Sequence, residues 1–437
     1  MARIVKRGAT RILAATQHTA VQGAPSANQI AAAAAAARMA TSCDACRFWT
    51  APDFCSRHGV NCGTCGFSLY CHDPATTPPP TPPAPPPATA VDLQCRHGRL
   101  YDCTGSAGAQ FGDCAAEFMF KGVSWFGMEE AYAMPQGLEW AQMSHLLDFI
   151  AHNKFNALRV PLSVSSVLDD NKMPDTFGGS QPARNLLVLL DLHRLTAGDR
   201  DNPLWYDSRV SEQMLVGAWG RLAARHCDNW NVVGADLFNE PWAAAWGGNS
   251  TAEDWAAAAE RIAAAVERAC PRWLLFVEGV SHTTGSGAPS AGSSQTEEGH
   301  NWAANVEGAR TRPLAIRAAK RVYSPHVYGP SVAPQPYFSN ESFPANMPPI
   351  WHAHFGYLAG RTGCVVVGEW GGFFEGADEV WQRAFATWLS EHRIGSFYWA
   401  LNPTSRDTGG LLLDDWKTPN TNKLALLRQI QGTLRAG

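Results

Sequence analysis

Eight runs of apolar and β-branched residues recur along the chain, at Phe118 to Gly127, Phe155 to Leu162, Leu186 to His193, Val232 to Pro241, Trp273 to Gly279, Arg321 to Tyr328, Cys364 to Gly371 and Ile394 to Leu401. Several, such as LLVLLDLH and CVVVGEWG, are nearly continuous rather than alternating. That is the pattern of parallel strands covered on the outside by helices and filled on the inside by side chains. Stretches with apolar residues three and four apart lie among them, at Glu139 to His152, Glu212 to His226, Ala252 to Ala269 and Asp378 to Glu391, and each predicts a helix with one buried face. Eight strands alternating with helices predict an α/β fold, a (β/α)8 TIM barrel. One connection breaks the rhythm. Ser163 to Asn185 offers only 23 residues, among them Pro174, Gly178, Gly179 and Pro182. The crossover helix between the second and third strands is therefore expected to be missing, which leaves either a barrel short of one element or a truncated gene product.

Ahead of the barrel the pattern changes three times. Residues 1–41 carry Arg3, Lys6, Arg7, Arg11 and Arg38 with no acid before Asp44, and they include the alanine run Ala31 to Ala37; this is the composition of a targeting leader without its usual apolar stretch. Residues 42–73 hold six cysteines, Cys43, Cys46, Cys55, Cys62, Cys65 and Cys71. Residues 74–90 are dominated by proline, which enforces an extended spacer that cannot pack as core. Residues 91–437 form the long mixed segment that carries the eight runs. Two explanations of the cysteine cluster stay open. Cys43/Cys46 and Cys62/Cys65 have zinc-ribbon spacing, whereas six cysteines beside a proline spacer fit three disulfides stapling a module too small for its own core. Phe48, Trp49, Phe54, Phe67 and Tyr70 within it are either its miniature core or a face for a flat polysaccharide. Of the remaining cysteines, Cys95 and Cys103 are the most plausible local pair.

Composition narrows the function. Hydrophobic residues at 45% and charged residues at 17% describe a globular chain with a large core. A net charge of -4 and a pI near 6.4 give no electrostatic footprint for nucleic acid or an anionic membrane. No run of 18 strongly apolar residues exists to span a bilayer. A monomer that binds through shape, stacking and hydrogen bonds is expected, with 17 Trp as a source of stacking surface. The sequons at Asn249 and Asn340, together with the cysteines and the leader, point to a secreted protein.

The polar residues of the eight runs gather at their carboxyl ends, where barrel enzymes build their sites. These are Arg159 in LRVP, His193 in LDLH, Asn239 and Glu240 in LFNEP, His326 and Tyr328 in SPHVY, Glu369 in VGEWGG, and Trp399 in FYWALNP. Glycosidic cleavage needs one carboxylic acid to protonate the leaving oxygen and one carboxylate to attack the anomeric carbon. Glu240 and Glu369 end the fourth and seventh strands, roughly opposite across the barrel mouth, so they are expected about 5 Å apart as in retaining enzymes. Arg159 and Tyr328 are placed to hold Glu369 ionised, and His326 to lie near Glu240. Asn239 can reach a sugar 2-hydroxyl, while His193, Trp399, Trp125 and Trp242 supply substrate contacts. No His pair has helix-face ligand spacing, so neither a metal nor any other cofactor is expected.

These residues sit in KGVSWFGME, LRVP, LLDLHR, NPLWY, VVGADLFNEPW, FVEGV, VYSPHVYGP, VVVGEWGG and FYWALNPTSRDTGGLLLDDW, and in them the chain resembles glycoside hydrolase family 5, the cellulase family, from Lys121 to near Arg435. The DTGGLLLDDW tail is similar to the endoglucanase branch more than to mannanases or xylanases. The resemblance implies a retaining endo-β-1,4-glucanase acting on β-glucan, with Glu240 as acid/base, Glu369 as nucleophile, and no metal. The N-terminal module resembles the cysteine-rich modules of some algal cellulases, which implies cellulose binding. The short Ser163 to Asn185 segment departs from the family pattern. Two other readings stand beside this one: a mannanase or mixed-linkage glucanase with the same machinery, and a catalytically impaired carbohydrate-binding protein with a damaged barrel.

Overall fold

The computed structural model describes residues 63–65, 68–70, 90–105, 114, 117–169, 184–199, 202–248, 252–281 and 303–434. The leader, the proline tract, the cysteine-rich module apart from one strand pair, and Asn249 lie outside these residues. The strand pair, β1 (Gly63–Cys65) and β2 (Ser68–Tyr70), is antiparallel. Whether the cysteines around it bind zinc or one another also falls outside the described residues.

The predicted barrel forms. Its strands are β6 (Lys121–Ser124), β7 (Ala157–Ser163), β8 (Leu187–Arg194), β9 (Val232–Asp236), β10 (Leu274–Val277), β11 (Arg321–Tyr323), β12 (Cys364–Trp370) and β13 (Gly395–Tyr398), one on each of the eight apolar runs, with β7 and β8 each running one residue past the end of theirs. All neighbours are parallel and the ring closes from β13 to β6. Helix α1 (Met143–His152) follows β6, and α2 (Val164–Leu168) follows β7. Around the rest of the ring lie α3 (Glu212–His226), α4 (Trp255–Ala269), α5 (Met347–His354), α6 (Gly376–His392) and, after β13, α7 (Thr421–Leu427). Local chemistry sets their starts: the Ser211 hydroxyl accepts from the Met214 N–H at 3.3 Å, and the Asp254 carboxylate accepts from Ala257 N–H at 3.0 Å.

The connection that looked too short holds α2, a five-residue helix, and residues 170–183 are outside those described. Ser163 caps this helix and Arg221 of α3 donates to the Leu168 carbonyl at 3.0 Å, so the short piece is anchored to its neighbour. The flanking strands pair more extensively than any other two in the ring. Seven residue pairs register between β7 and β8, from Ala157 with Leu187 to Ser163 with Arg194, whereas two to four register at each other seam.

The lower end of the barrel is closed by chain that precedes it. Strands β3 (Leu93–Arg96), β4 (Arg99–Asp102) and β5 (Glu117–Phe118) form an antiparallel sheet. The two-residue turn between β3 and β4, His97 at φ 48° and Gly98 at φ 71°, has the two positive values that a tight hairpin requires. Val91, Leu93, Leu100 and Phe118 from this region join Phe120, Leu187, Leu189, Leu274, Phe276 and Phe397 in one buried cluster. A second, larger cluster packs the helices around the strands.

The cysteine pairing differs from expectation. Cys95 bonds Cys364 at the start of β12, Cys103 bonds Cys114, and Cys227 bonds Cys270. Cys95 does not reach Cys103 because the hairpin register sets Cys95 opposite Leu100, while Cys103 lies past the end of the ladder, its N–H donating to the Asp92 carbonyl.

Candidate active site

Inside the barrel the side chains change from hydrocarbon to charge as the strands rise. On β8 the inward positions read Leu187, Leu189, Asp191, His193; on β10 and its extension they read Leu274, Phe276, Glu278; on β7, Ala157 then Arg159. The apolar members fill the lower cluster, and the polar ones meet at the carboxyl ends. Arg159 is fully buried there and faces four carboxylates. Its Nε donates to Asp236 Oδ2 at 2.9 Å, its Nη2 lies 3.1 Å from Asp191 Oδ2 and 3.2 Å from Glu278 Oε1, and its Nη1 donates to Glu369 Oε1.

The two predicted glutamates converge. Glu369 takes its second hydrogen bond from the Tyr328 hydroxyl at 2.7 Å, and His326 Nδ1 lies 2.8 Å from Glu240 Oε1 and 3.6 Å from Glu369 Oε2. One carboxylate oxygen of each glutamate lies within 4.8 Å of the other. That spacing suits direct attack by one carboxylate rather than the wider gap that accommodates a water.

Their environments push them apart. Burial raises the Glu240 carboxyl to about 8, against the opposing pull of its His326 hydrogen bond. Burial works in the same direction on Glu369 but is outweighed by His326, Arg159 and His193 and by the Tyr328 hydrogen bond, which hold it below the ordinary carboxylate range. A proton therefore resides on Glu240 while Glu369 stays ionised, the division of labour that acid and nucleophile need. His326 is held above the usual imidazole range: burial lowers it, and the Glu369 and Glu240 carboxylates more than compensate.

Asn239 Oδ1 accepts from Arg159 Nη2 at 3.0 Å, an assignment fixed by the guanidinium having only donors. His193 lies 2.7 Å from Asp191 through Nδ1 and stands nearly parallel to Trp399, ring centres 5.5 Å apart. Trp399 is also stacked with Phe126 at 5.3 Å and keeps part of its surface exposed. Trp242 is half-buried beside Pro241. Trp125 is placed otherwise: it is 4% exposed, belongs to the main core, and its ring N–H donates to the Gln136 carbonyl at 2.9 Å.

Glu240 itself sits at φ +43°, left-handed backbone that a side chain rarely adopts. Its main-chain N–H turns to Glu278 Oε2 at 2.7 Å. Two carboxylate-histidine groupings, Asp236 with Glu278 and His326, and Glu240 with His326 and Glu369, are compact enough to coordinate an ion. The Arg159 guanidinium contacts Asp236, Glu278 and Glu369, so a positive charge of the protein's own already stands among these carboxyl groups.

Residues 116–405 match the family described as Cellulase (glycosyl hydrolase family 5). The chain belongs to glycoside hydrolase family 5. An endoglucanase of Paenibacillus polymyxa is 35% identical over 344 residues, 72% of this chain and 83% of that protein. The major extracellular endoglucanase of Xanthomonas campestris is 36% identical over 349 residues, 74% of this chain and 69% of that one. Among solved structures, an endocellulase of Pyrococcus horikoshii in complex with cellotetraose superposes with a TM-score of 0.70 at 33% identity, covering 78% of this chain and 99% of that chain.

Three buried acids around Arg159 had not been picked out from the sequence: Asp191, Asp236 and Glu278. Burial raises all three, to about 7 for Asp191 and about 6 for Asp236. The available signal was a single acid inside each of the runs LLVLLDLH, VVGADLF and LLFVEG.

Proposed function

We infer that this protein is a retaining endo-β-1,4-glucanase that cuts internal bonds of β-glucan chains. What carries the reading is the pair of carboxylates with oxygens within 4.8 Å, one held protonated and the other ionised. Glu369 attacks the anomeric carbon and forms a covalent glycosyl ester while Glu240 gives its proton to the departing oxygen, so the C–O bond breaks as a neutral hydroxyl leaves. Glu240, now a carboxylate, takes a proton from water, and the resulting hydroxide equivalent displaces Glu369 with a second inversion. Arg159 and Tyr328 stabilise Glu369 as a leaving group in that second step. The Asn239 amide nitrogen is the donor aimed at the sugar 2-hydroxyl, and Trp399, His193 and Trp242 line the subsite next to the cut. The endoglucanase relatives and the cellotetraose-bound endocellulase favour β-1,4-glucan over mannan.

A catalytically impaired binding protein would require a broken barrel, and the ring is closed. The extracellular relative and three disulfides favour secretion. Among the described residues no helix is long and apolar enough to cross a membrane. The chain acts as a monomer in this reading, since both catalytic carboxylates and their cation come from one barrel.

The test is reducing-sugar release from carboxymethyl cellulose and the anomeric signal of cellotetraose products by proton NMR. Glu240→Gln and Glu369→Gln each lose about 10⁴-fold or more in kcat, and the first product formed is the β-anomer. Initial formation of the α-anomer defeats the mechanism.

A further inference from the structure

Glu278 has no part in the double displacement, yet it is fully buried directly beyond the end of β10. A buried carboxylate is costly unless donors surround it. Here two donate and a third group stands close: the main-chain N–H of Glu240 at 2.7 Å on Oε2, Arg159 Nη2 at 3.2 Å on Oε1, and His326 Nε2 at 3.2 Å from the same Oε1. The His326 contact is close but poorly aligned, and Nε2 has no other partner. From the outer side, the Trp255 indole of α4 donates to the Glu278 carbonyl at 3.0 Å, so the residue cannot slide along the barrel axis.

Glu240 is thereby gripped twice. Its left-handed backbone is held by Glu278 directly, and its carboxyl is held by His326 Nδ1, whose other ring nitrogen faces the same Glu278. We propose that Glu278 is a positioning residue for the general acid, fixing the backbone and the carboxyl of Glu240 together through its two carboxylate oxygens. The inference rests on Glu240 being the acid. A glutamine in its place offers one acceptor oxygen where two oxygens meet the Glu240 N–H on one side and Arg159 and His326 on the other, and turns an NH2 group toward one side. The carboxyl of Glu240 is then displaced from the leaving oxygen, while Glu369, held by Arg159 and Tyr328, keeps its attack geometry.

A comparison of leaving groups separates this from a general structural role. The glucosidic oxygen of cellotetraose must be protonated as it departs, whereas dinitrophenolate leaves dinitrophenyl β-cellobioside without an acid. In Glu278→Gln, kcat/KM for cellotetraose is expected to fall about 10²-fold while kcat/KM for the aryl cellobioside stays near the wild-type value. Glu278→Asp, which keeps the carboxyl group but withdraws it by one methylene, is expected to show the same split. Equal losses on both substrates, or no loss on either, overturn the proposal, as does failure of both variants to fold by circular dichroism, which makes the carboxylate an architectural part. Glu240→Gln run alongside distinguishes the two levels: if it lacks the split, the acid assignment is wrong, and if it shows the split while the Glu278 variants do not, only the positioning role falls.

Discussion

Four carboxylates, from Asp191, Asp236, Glu278 and Glu369, face the one guanidinium of Arg159, so a smaller or more mobile cation leaves buried negative charge without donors. Lysine cannot reproduce a planar fork that reaches several acceptors at once. Arg159→Lys is expected to cost about 3–5 kcal/mol of stability and about 10²-fold or more in kcat/KM, read by chemical denaturation and cellotetraose hydrolysis. The opposed shifts of Glu240 and Glu369 also set a pH profile. On this reading activity requires Glu240 protonated and Glu369 ionised, so kcat/KM should fall to half its plateau near pH 8, where Glu240 loses its proton, and should fall in acid only below the ordinary carboxylate range. An alkaline limb whose midpoint lies in the ordinary carboxylate range removes this account of the acid. Glu240 and Glu369 were legible in the sequence because an acid ending an apolar strand stands out against its neighbours. Asp191, Asp236 and Glu278 were not, since their contacts exist only once the ring closes and brings residues as distant as 119 positions within 3.2 Å of each other.

At the scale of elements, helices α3 and α4 end at Cys227 and Cys270, and the bond between these cysteines ties the two carboxyl ends together. Closing a loop of 43 residues restricts the unfolded chain enough to contribute about 3–4 kcal/mol in the chain-entropy account. The double variant Cys227→Ser with Cys270→Ser should lose stability on that scale in urea titration while keeping kcat, because neither cysteine approaches the carboxylate pair. Thiol titration of denatured, unreduced protein should find no more than six of the twelve cysteines reactive. Strand positions followed from apolar runs, but their ends did not. β9 and β11 stop at Asp236 and Tyr323, ahead of Glu240 and His326, so these two stand on extensions beyond their strands, whereas Glu369 lies within β12. The Cys95 partner was equally hidden. Proximity in sequence favoured Cys103, and only the hairpin register shows Cys95 turned away from it.

For the molecule as a whole, the buried acids make stability depend on pH in an unusual direction. Asp191, Asp236, Glu240 and Glu278 all titrate higher in the folded state than in the unfolded chain. The folded state therefore binds more protons from about pH 4 upward, and each of these groups contributes stability that is present below its unfolded value and lost as the pH rises through its folded one. His326 acts in the same sense, and Glu369 opposes it only at the acid end. The thermal midpoint should decline from about pH 5 to about pH 8, and a midpoint that rises across that interval contradicts the assigned shifts. The bond from Cys95 to Cys364 has another kind of consequence. It joins positions 269 residues apart, and so encloses most of the barrel in one covalent circle. A protease that nicks any single peptide link within that circle severs the polypeptide without releasing a piece: the fragments separate on a gel only after a reductant is added, and a nicked enzyme keeps both glutamates on one particle.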